Sequence, residues 1–259
     1  MLRLFEHPIS PYSQKVKICL YEKNIIFEKI IPGFLSFDED FLKVSPRREI
    51  PVLIDNECVI TNSPFIVEYI DEKWTTGLQL LPKDLSLRSQ ARIIQEVCDT
   101  QVDAAIYGLI EMTKFERGTA EEKKQIITAG KRDIAGFYRY FSKILGTKQF
   151  FLGNEPTIVD FSFFPHAFNA EHLACGLENH QNLNDWYIRI KQRSSIQKVI
   201  SEFNEGSLNF NETIDKINNA EAKRLYRDHR LEWIIKNGGV NIVLEGIKKN
   251  NIRFLTRIT

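Results

Sequence analysis

Cysteine is scarce in this chain: there are four in 259 residues, Cys19, Cys58, Cys98 and Cys175, and no two of them form a CxxC pair. That spacing supplies neither a zinc-ligand set nor a disulfide framework, and it reads as the reduced state of a cytoplasmic protein. No run of about 18 apolar residues occurs, so no ordinary membrane-spanning helix is expected. Glu6 and Pro8 interrupt the N-terminus before an apolar segment can develop, which argues against a secretory leader. Charge excess is missing too. The 35 Lys plus Arg stand against 34 Asp plus Glu, giving no ground for a nucleic-acid or membrane partner. His7, His166, His172, His180 and His229 lack metal-ligand spacing, so no metal is expected.

What is present is a globular composition, 43% hydrophobic and 27% charged, able to bury a sizeable core. Leu2 to Phe5 reads as a strand closed by Pro8 and Pro11, Tyr12 to Glu22 as a helix, and Ile25 to Ile31 as a second strand parallel to the first. Pro51 to Ile54 and Cys58 to Ile60 form a hairpin pattern around Asp55-Asn56-Glu57, and Ser63-Pro64 opens a helix with proline in its first turn. This succession fits a thioredoxin-like α/β unit over residues 1–76.

Gly77 and Pro82 mark a linker, after which helical spacing dominates. One long helix is expected from Leu87 to about Met112 and another from Lys123 to Leu145, stopped by Gly146. Thr157-Ile158-Val159-Asp160 reads as a capping motif before a buried helix that Pro165 should kink or delay. An all-α domain over 86–203 follows. The tail, 205–259, predicts helix from Asp215 to Lys236, a stop at Gly238-Gly239, and helical spacing again through Val240, Val243, Leu244 and Ile247. Within Arg227-Asp228-His229-Arg230-Leu231-Glu232-Trp233, the expected anchors are Leu231, Trp233 and Ile234. Residues 1–75 carry 9 basic and 12 acidic groups and residues 205–259 carry 10 and 7, so the tail has a weak electrostatic reason to fold back on the first domain.

Chemistry concentrates at Ser10-Pro11-Tyr12-Ser13. Here a hydroxyl meets unpaired backbone N–H groups and the positive end of a helix dipole, a place that favours an anion. Serine is also favoured there simply as a helix cap. Four motifs in this order resemble the glutathione transferase superfamily over residues 1–203: Ser10-Pro11-Tyr12-Ser13, Ile50-Pro51-Val52, Thr61-Asn62-Ser63, and Thr157 to Asp160. They are similar to the family's active-site turn, cis-proline segment, γ-glutamyl site and capping box. The chain would be a serine-type, bacterial-like member with an extra C-terminal tail, its fold an α/β thioredoxin-like N-terminal domain plus an all-α C-terminal domain.

The resemblance implies glutathione as cosubstrate, a small electrophilic second substrate, a detoxifying role, a homodimer and a cytoplasmic location. In family terms Ser10 would donate a hydrogen bond to the glutathione sulfur and hold it as thiolate. Ile50, preceding a cis Pro51, would pair with the cysteinyl backbone, and Asn62 and Ser63 would take the γ-glutamyl end. Arg48 or Arg47 would reach the glycyl carboxylate, or both would be solvated. Two departures stand out. Asn62 replaces the usual acidic residue, and Glu49 precedes Ile50 where a base is often found.

The alternatives from other classes are a non-catalytic scaffold for protein association and a glutathione-dependent reductase or dehalogenase. The last expects a cysteine near position 10, and Cys19 reads as core. Tyr107, Phe115, Phe137, Tyr138 and Phe141 have spacing that suits core better than an acceptor pocket.

Overall fold

The computed structural model describes residues 1–33, 39–115, 117–222, 224–226 and 228–254; Arg227 of the charged tail segment lies outside the described residues. Strand β1 (Leu2–Phe5) leads through a short turn into α1 (Pro11–Glu22), then β2 (Glu28–Ile30), α2 (Glu39–Val44), the hairpin β3 (Val52–Asp55) and β4 (Cys58–Thr61), and α3 (Ser63–Lys73). The four strands form one mixed sheet in the order β2-β1-β3-β4, with β1 parallel to β2 and antiparallel to β3. Period-two alternation sorts the sheet's side chains. Leu2, Leu4 and Leu53 join Val16, Ile18, Leu20, Ile66, Val67 and Ile70 in the main core, whereas Phe5, Val52 and Ile54 pack with Phe41 of α2 on the other face. Asn56 turns the hairpin at φ 55°, a conformation asparagine tolerates.

The helical part comprises α4 (Leu85–Val97), α5 (Asp103–Lys114), α6 (Ala120–Leu145), α7 (Ile158–Glu171), α8 (Gln181–Lys191) and α9 (Ser194–Asn218). A π-helical turn, Cys98–Val102, joins α4 to α5, so the expected long helix is continuous but widened in its middle. Its centre is held to α1: Lys15 forms a buried ion pair with Asp99 at 2.5 Å, and Tyr12 donates its hydroxyl to the Asp99 carbonyl at 2.6 Å. Helix α7 continues through Pro165 and is the buried centre of this domain. Its cap is the expected motif: Asp160 accepts from the Thr157 N–H at 2.8 Å, and the Thr157 hydroxyl accepts from Val159 N–H at 3.4 Å. Asp160 also accepts from Trp186 Nε1 at 2.9 Å and from Phe151 N–H at 3.2 Å, donors that oppose the burial pushing its pKa up to about 6.

The tail departs from expectation. Helix α9 runs unbroken across residue 204, so the extra segment begins as its continuation. The helix expected over 215–236 is interrupted: α9 stops at Asn218, Ala220 adopts φ 61°, and β5 (Arg224–Tyr226) precedes α10 (Asp228–Lys236). Then come α11 (Val240–Lys248) and β6 (Ile252–Phe254), which pairs in parallel with β5. Leu231, Trp233 and Ile234 do anchor α10, the last two buried. Trp233 lies where a side chain on Gly108 would be: a Cβ there would meet its ring at 2.3 Å, so only glycine lets α10 seat on α5. Glu245 accepts from the Gly118 N–H, and the buried Arg117–Glu111 pair, 2.5 Å, sits beside Gly246. The tail is thus packed mainly on the helical part.

Candidate functional site

Strand register brings the sequence motifs to one end of the sheet. Phe5, the last residue of β1, pairs with Val52, the first of β3, and Val52 pairs in turn with Thr61, the last of β4. The turn after β1, the segment before β3 and the residues after β4 therefore converge, and these hold Ser10, Ile50 with Pro51, and Asn62 with Ser63.

Ser10 is the N-cap of α1, half-buried, with Pro11 in the first helical position. Its Oγ accepts from the Ser13 N–H at 3.3 Å, an arrangement that leaves the hydroxyl proton free of that bond. Its own N–H donates to the His7 carbonyl at 2.9 Å, closing the turn, and Gln14 holds the Pro8 carbonyl at 2.7 Å. Ser13 faces inward, fully buried, and its Oγ accepts from the His7 N–H at 3.3 Å. His7 itself is kept neutral: burial, assisted by Lys17, pushes its pKa down to about 4.

At the opposite motif, Asn62 is exposed and precedes α3 with φ 66° and ψ 122°, a backbone conformation that costs energy even for asparagine. Its side chain makes no cap bond to the helix. Ser63 is buried, and its Oγ has no hydrogen-bond partner among the described residues. An orphaned hydroxyl at an uncapped helix N-terminus suits a carboxylate, because the free backbone N–H groups and the dipole act together. The residues present therefore suit a ligand that carries a carboxylate.

The Ile50–Pro51 peptide bond is cis, and Ile50 lies just before the paired residues of β3. Arg48 is half-buried at φ 56°, its N–H donating to the Ser45 carbonyl at 2.8 Å, and Arg47 pairs with Glu49 at 3.2 Å. Cys19 is buried in the core, where desolvation pushes its thiol pKa well up, and Tyr107, Phe115, Tyr138 and Phe141 are buried as well. Among the described residues no group of three or more His, Cys, Asp or Glu could hold a metal.

Sequence reasoning missed the α9 residues that reach this site. Glu202 pairs with Lys17 at 2.8 Å and Lys29 at 2.6 Å and accepts from the Tyr21 hydroxyl at 2.6 Å. Gly206 lies against Pro8, and the Phe210 ring stands 6.3 Å from that of His7. The helical period of the sequence signals α9 but not where it lands.

Family comparison agrees with this architecture. Residues 4–75 match the family model described as "Glutathione S-transferase, N-terminal domain", and residues 100–202 match "Glutathione S-transferase, C-terminal domain". The chain belongs to the glutathione transferase superfamily. It is 31% identical over 157 residues to Glutathione S-transferase U28 of Arabidopsis thaliana, covering 60% of this chain and 66% of that one. The match thus spans slightly less than two thirds of that relative. It is 25% identical over 210 residues to a stringent starvation protein A homolog of Histophilus somni, covering 80% of this chain and 94% of the other. Among solved structures it resembles a glutathione S-transferase from Rhodospirillum rubrum, with TM-score 0.69 and 25% identity over 77% of this chain and 91% of that one.

Proposed function

We propose that this protein is a serine-type glutathione transferase in which Ser10 holds the glutathione sulfur as thiolate for attack on a small electrophile. The observation that carries the reading is the meeting, at one sheet end, of a Ser10 hydroxyl whose oxygen already accepts from α1 and a buried Ser63 hydroxyl at the start of α3 that has no partner among the described residues. A hydroxyl that accepts one bond donates a stronger one, so the Ser13 N–H polarises Ser10 toward the sulfur. Each unit of thiol pKa depression stabilises the thiolate by about 1.4 kcal/mol, and the end of α1 contributes about 0.3–1 kcal/mol of that.

Glutathione would lie with its γ-glutamyl carboxylate on Ser63, its amino group at the Asn62 amide and its cysteinyl backbone along Ile50. Arg48, two residues before Ile50, is our candidate for the glycyl carboxylate. In the reaction the thiolate sulfur forms a bond to the electrophilic carbon. The electron pair leaves with a halide-type leaving group or, for an enone, moves to the carbonyl side and takes a proton from water. We assign residues 1–76 to glutathione, 86–203 to the helical domain, and 205–259 to an extra tail.

We further propose a cytoplasmic homodimer acting on toxic electrophiles. Val59 of β4, Phe65 of α3, and Leu85 and Ile93 of α4 are exposed apolar residues suited to a second copy. Conjugation of 1-chloro-2,4-dinitrobenzene tests the central step: Ser10→Ala should lower kcat/KM by about 100-fold, the scale of losing one charge-stabilising donor. Equal rates would refute it.

The alignment with a starvation-protein homolog over most of both chains supports a second reading, a non-catalytic scaffold for protein association. Failure of the full chain to bind immobilised glutathione would favour that reading. A thiol reductase is less well supported, since the turn around Ser10 holds no cysteine and Cys19 is buried.

A further inference from the structure

Helix α9 continues past residue 202, where the family match ends, and its continuation lies on the active-site turn. Phe203, Gly206, Phe210, Ile214 and Ile217 fall at three- and four-residue spacing along one helix face. Phe203 packs on Phe168 and His172, with ring centroids 5.0 and 5.4 Å away, and Phe210, Ile214 and Ile217 pack with Phe115 at the end of α5. Between these contacts the helix crosses the turn. A Cβ on Gly206 would lie 2.8 Å from both Cβ and Cγ of Pro8, and the Phe210 ring meets His7 edge-on. Glycine in a helix interior is disfavoured relative to alanine, so its place here is explained by the close approach alone.

The helix cannot easily drift from this position. One turn earlier Glu202 is tied to Lys17, Lys29 and Tyr21, and at the start of α9 Arg193 forms a two-pronged pair with Glu22 at 2.7 and 2.6 Å. Beyond the turn the Phe115 cluster fixes the other side. His7 and Pro8, the two residues pressed from above, carry the carbonyls that Ser10 N–H and Gln14 grip from below.

We propose that Gly206 and Phe210 are positioning residues for Ser10: they clamp the His7–Pro8 turn between α9 and α1 and so fix the direction of the Ser10 hydroxyl. The proposal rests on the reading of Ser10 as the sulfur-binding group. It assigns to the segment beyond the family match a role in thiol activation, exerted through the turn without contact with the sulfur.

The test uses the full chain with Gly206→Ala, Phe210→Ala, Phe210→Leu and Ser10→Ala. Two readouts are taken, amide hydrogen exchange across residues 7–14 and the ultraviolet thiolate band of bound glutathione against pH. Gly206→Ala and Phe210→Ala should speed exchange at Ser10 and Ser13 by about tenfold while α7 amides keep their rates. They should also raise the bound thiol's pKa by about one. Phe210→Leu retains apolar volume and should give a smaller change in the same direction, which keeps the test available if Phe210→Ala folds poorly. Unaltered exchange in Gly206→Ala and Phe210→Leu overturns the clamp, whatever Ser10 does. Faster exchange with an unmoved thiol pKa overturns the positioning role. A thiolate band that Ser10→Ala leaves in place overturns the reading of Ser10 itself, while the exchange data still decide the clamp.

Discussion

Ser63 is a residue whose burial has no internal justification. A buried hydroxyl with no partner among the described residues costs about 1–3 kcal/mol, and a carboxylate bound at the start of α3 would remove that cost. Ser63→Ala should therefore leave the fold intact or slightly firmer while raising the KM for glutathione about tenfold with little change in kcat. Steady-state kinetics at fixed acceptor concentration checks this, and an unchanged KM would remove Ser63 from the site.

His7 makes a second residue-scale prediction. Its pKa falls from 6.5 in the unfolded chain to about 4 in the fold, so the unfolded chain takes up a proton first as pH drops. The stability contribution of neutral His7 is present above pH 6.5 and is lost as pH falls toward 4, by about 3 kcal/mol at most. Urea unfolding of the wild type and His7→Phe between these limits should show a shallower pH slope in the variant. Parallel slopes would contradict the assignment.

At the scale of elements, α7 depends on its cap. Thr157→Ala removes the hydroxyl that accepts from Val159 N–H and should lower stability by about 1–2 kcal/mol without altering glutathione affinity, read by denaturant midpoint and calorimetry together. Motifs of this kind were legible in the sequence because they are local: a cap spans four residues, and Ser10, Pro51 and Ser63 each sit at a strand or helix boundary that nearby residues define. The tail was less legible. Helical spacing runs on past Asn218, yet Arg224 to Tyr226 pairs with Ile252 to Phe254, a partner too distant for periodicity to reveal. The meeting of Gly206 with Pro8 was hidden for the same reason, since nothing near either residue announces the other.

For the whole molecule, the segment beyond the family match is part of one packed body. Trp233 fills the space left by Gly108, and Arg117 and Glu111 form their ion pair at 1% and 0% exposure beside α11. Trp233→Ala should cost about 3–5 kcal/mol, seen as a lower unfolding midpoint of the entire chain in one transition. A separate early transition would show instead that the tail folds independently. Breaking the ion pair by Arg117→Met strands a buried carboxylate and should cost a similar amount, about 3–5 kcal/mol.

The central claim is that this fold lowers the pKa of a bound glutathione thiol through Ser10. Its most direct measurement is the thiolate absorbance of glutathione bound to the wild type and to Ser10→Ala, titrated across pH. The expected result is a wild-type thiol ionising about two units below the free value of about 8.5, and an alanine variant in which most of that depression is gone. Equal titration curves, or no binding at millimolar glutathione, would contradict it.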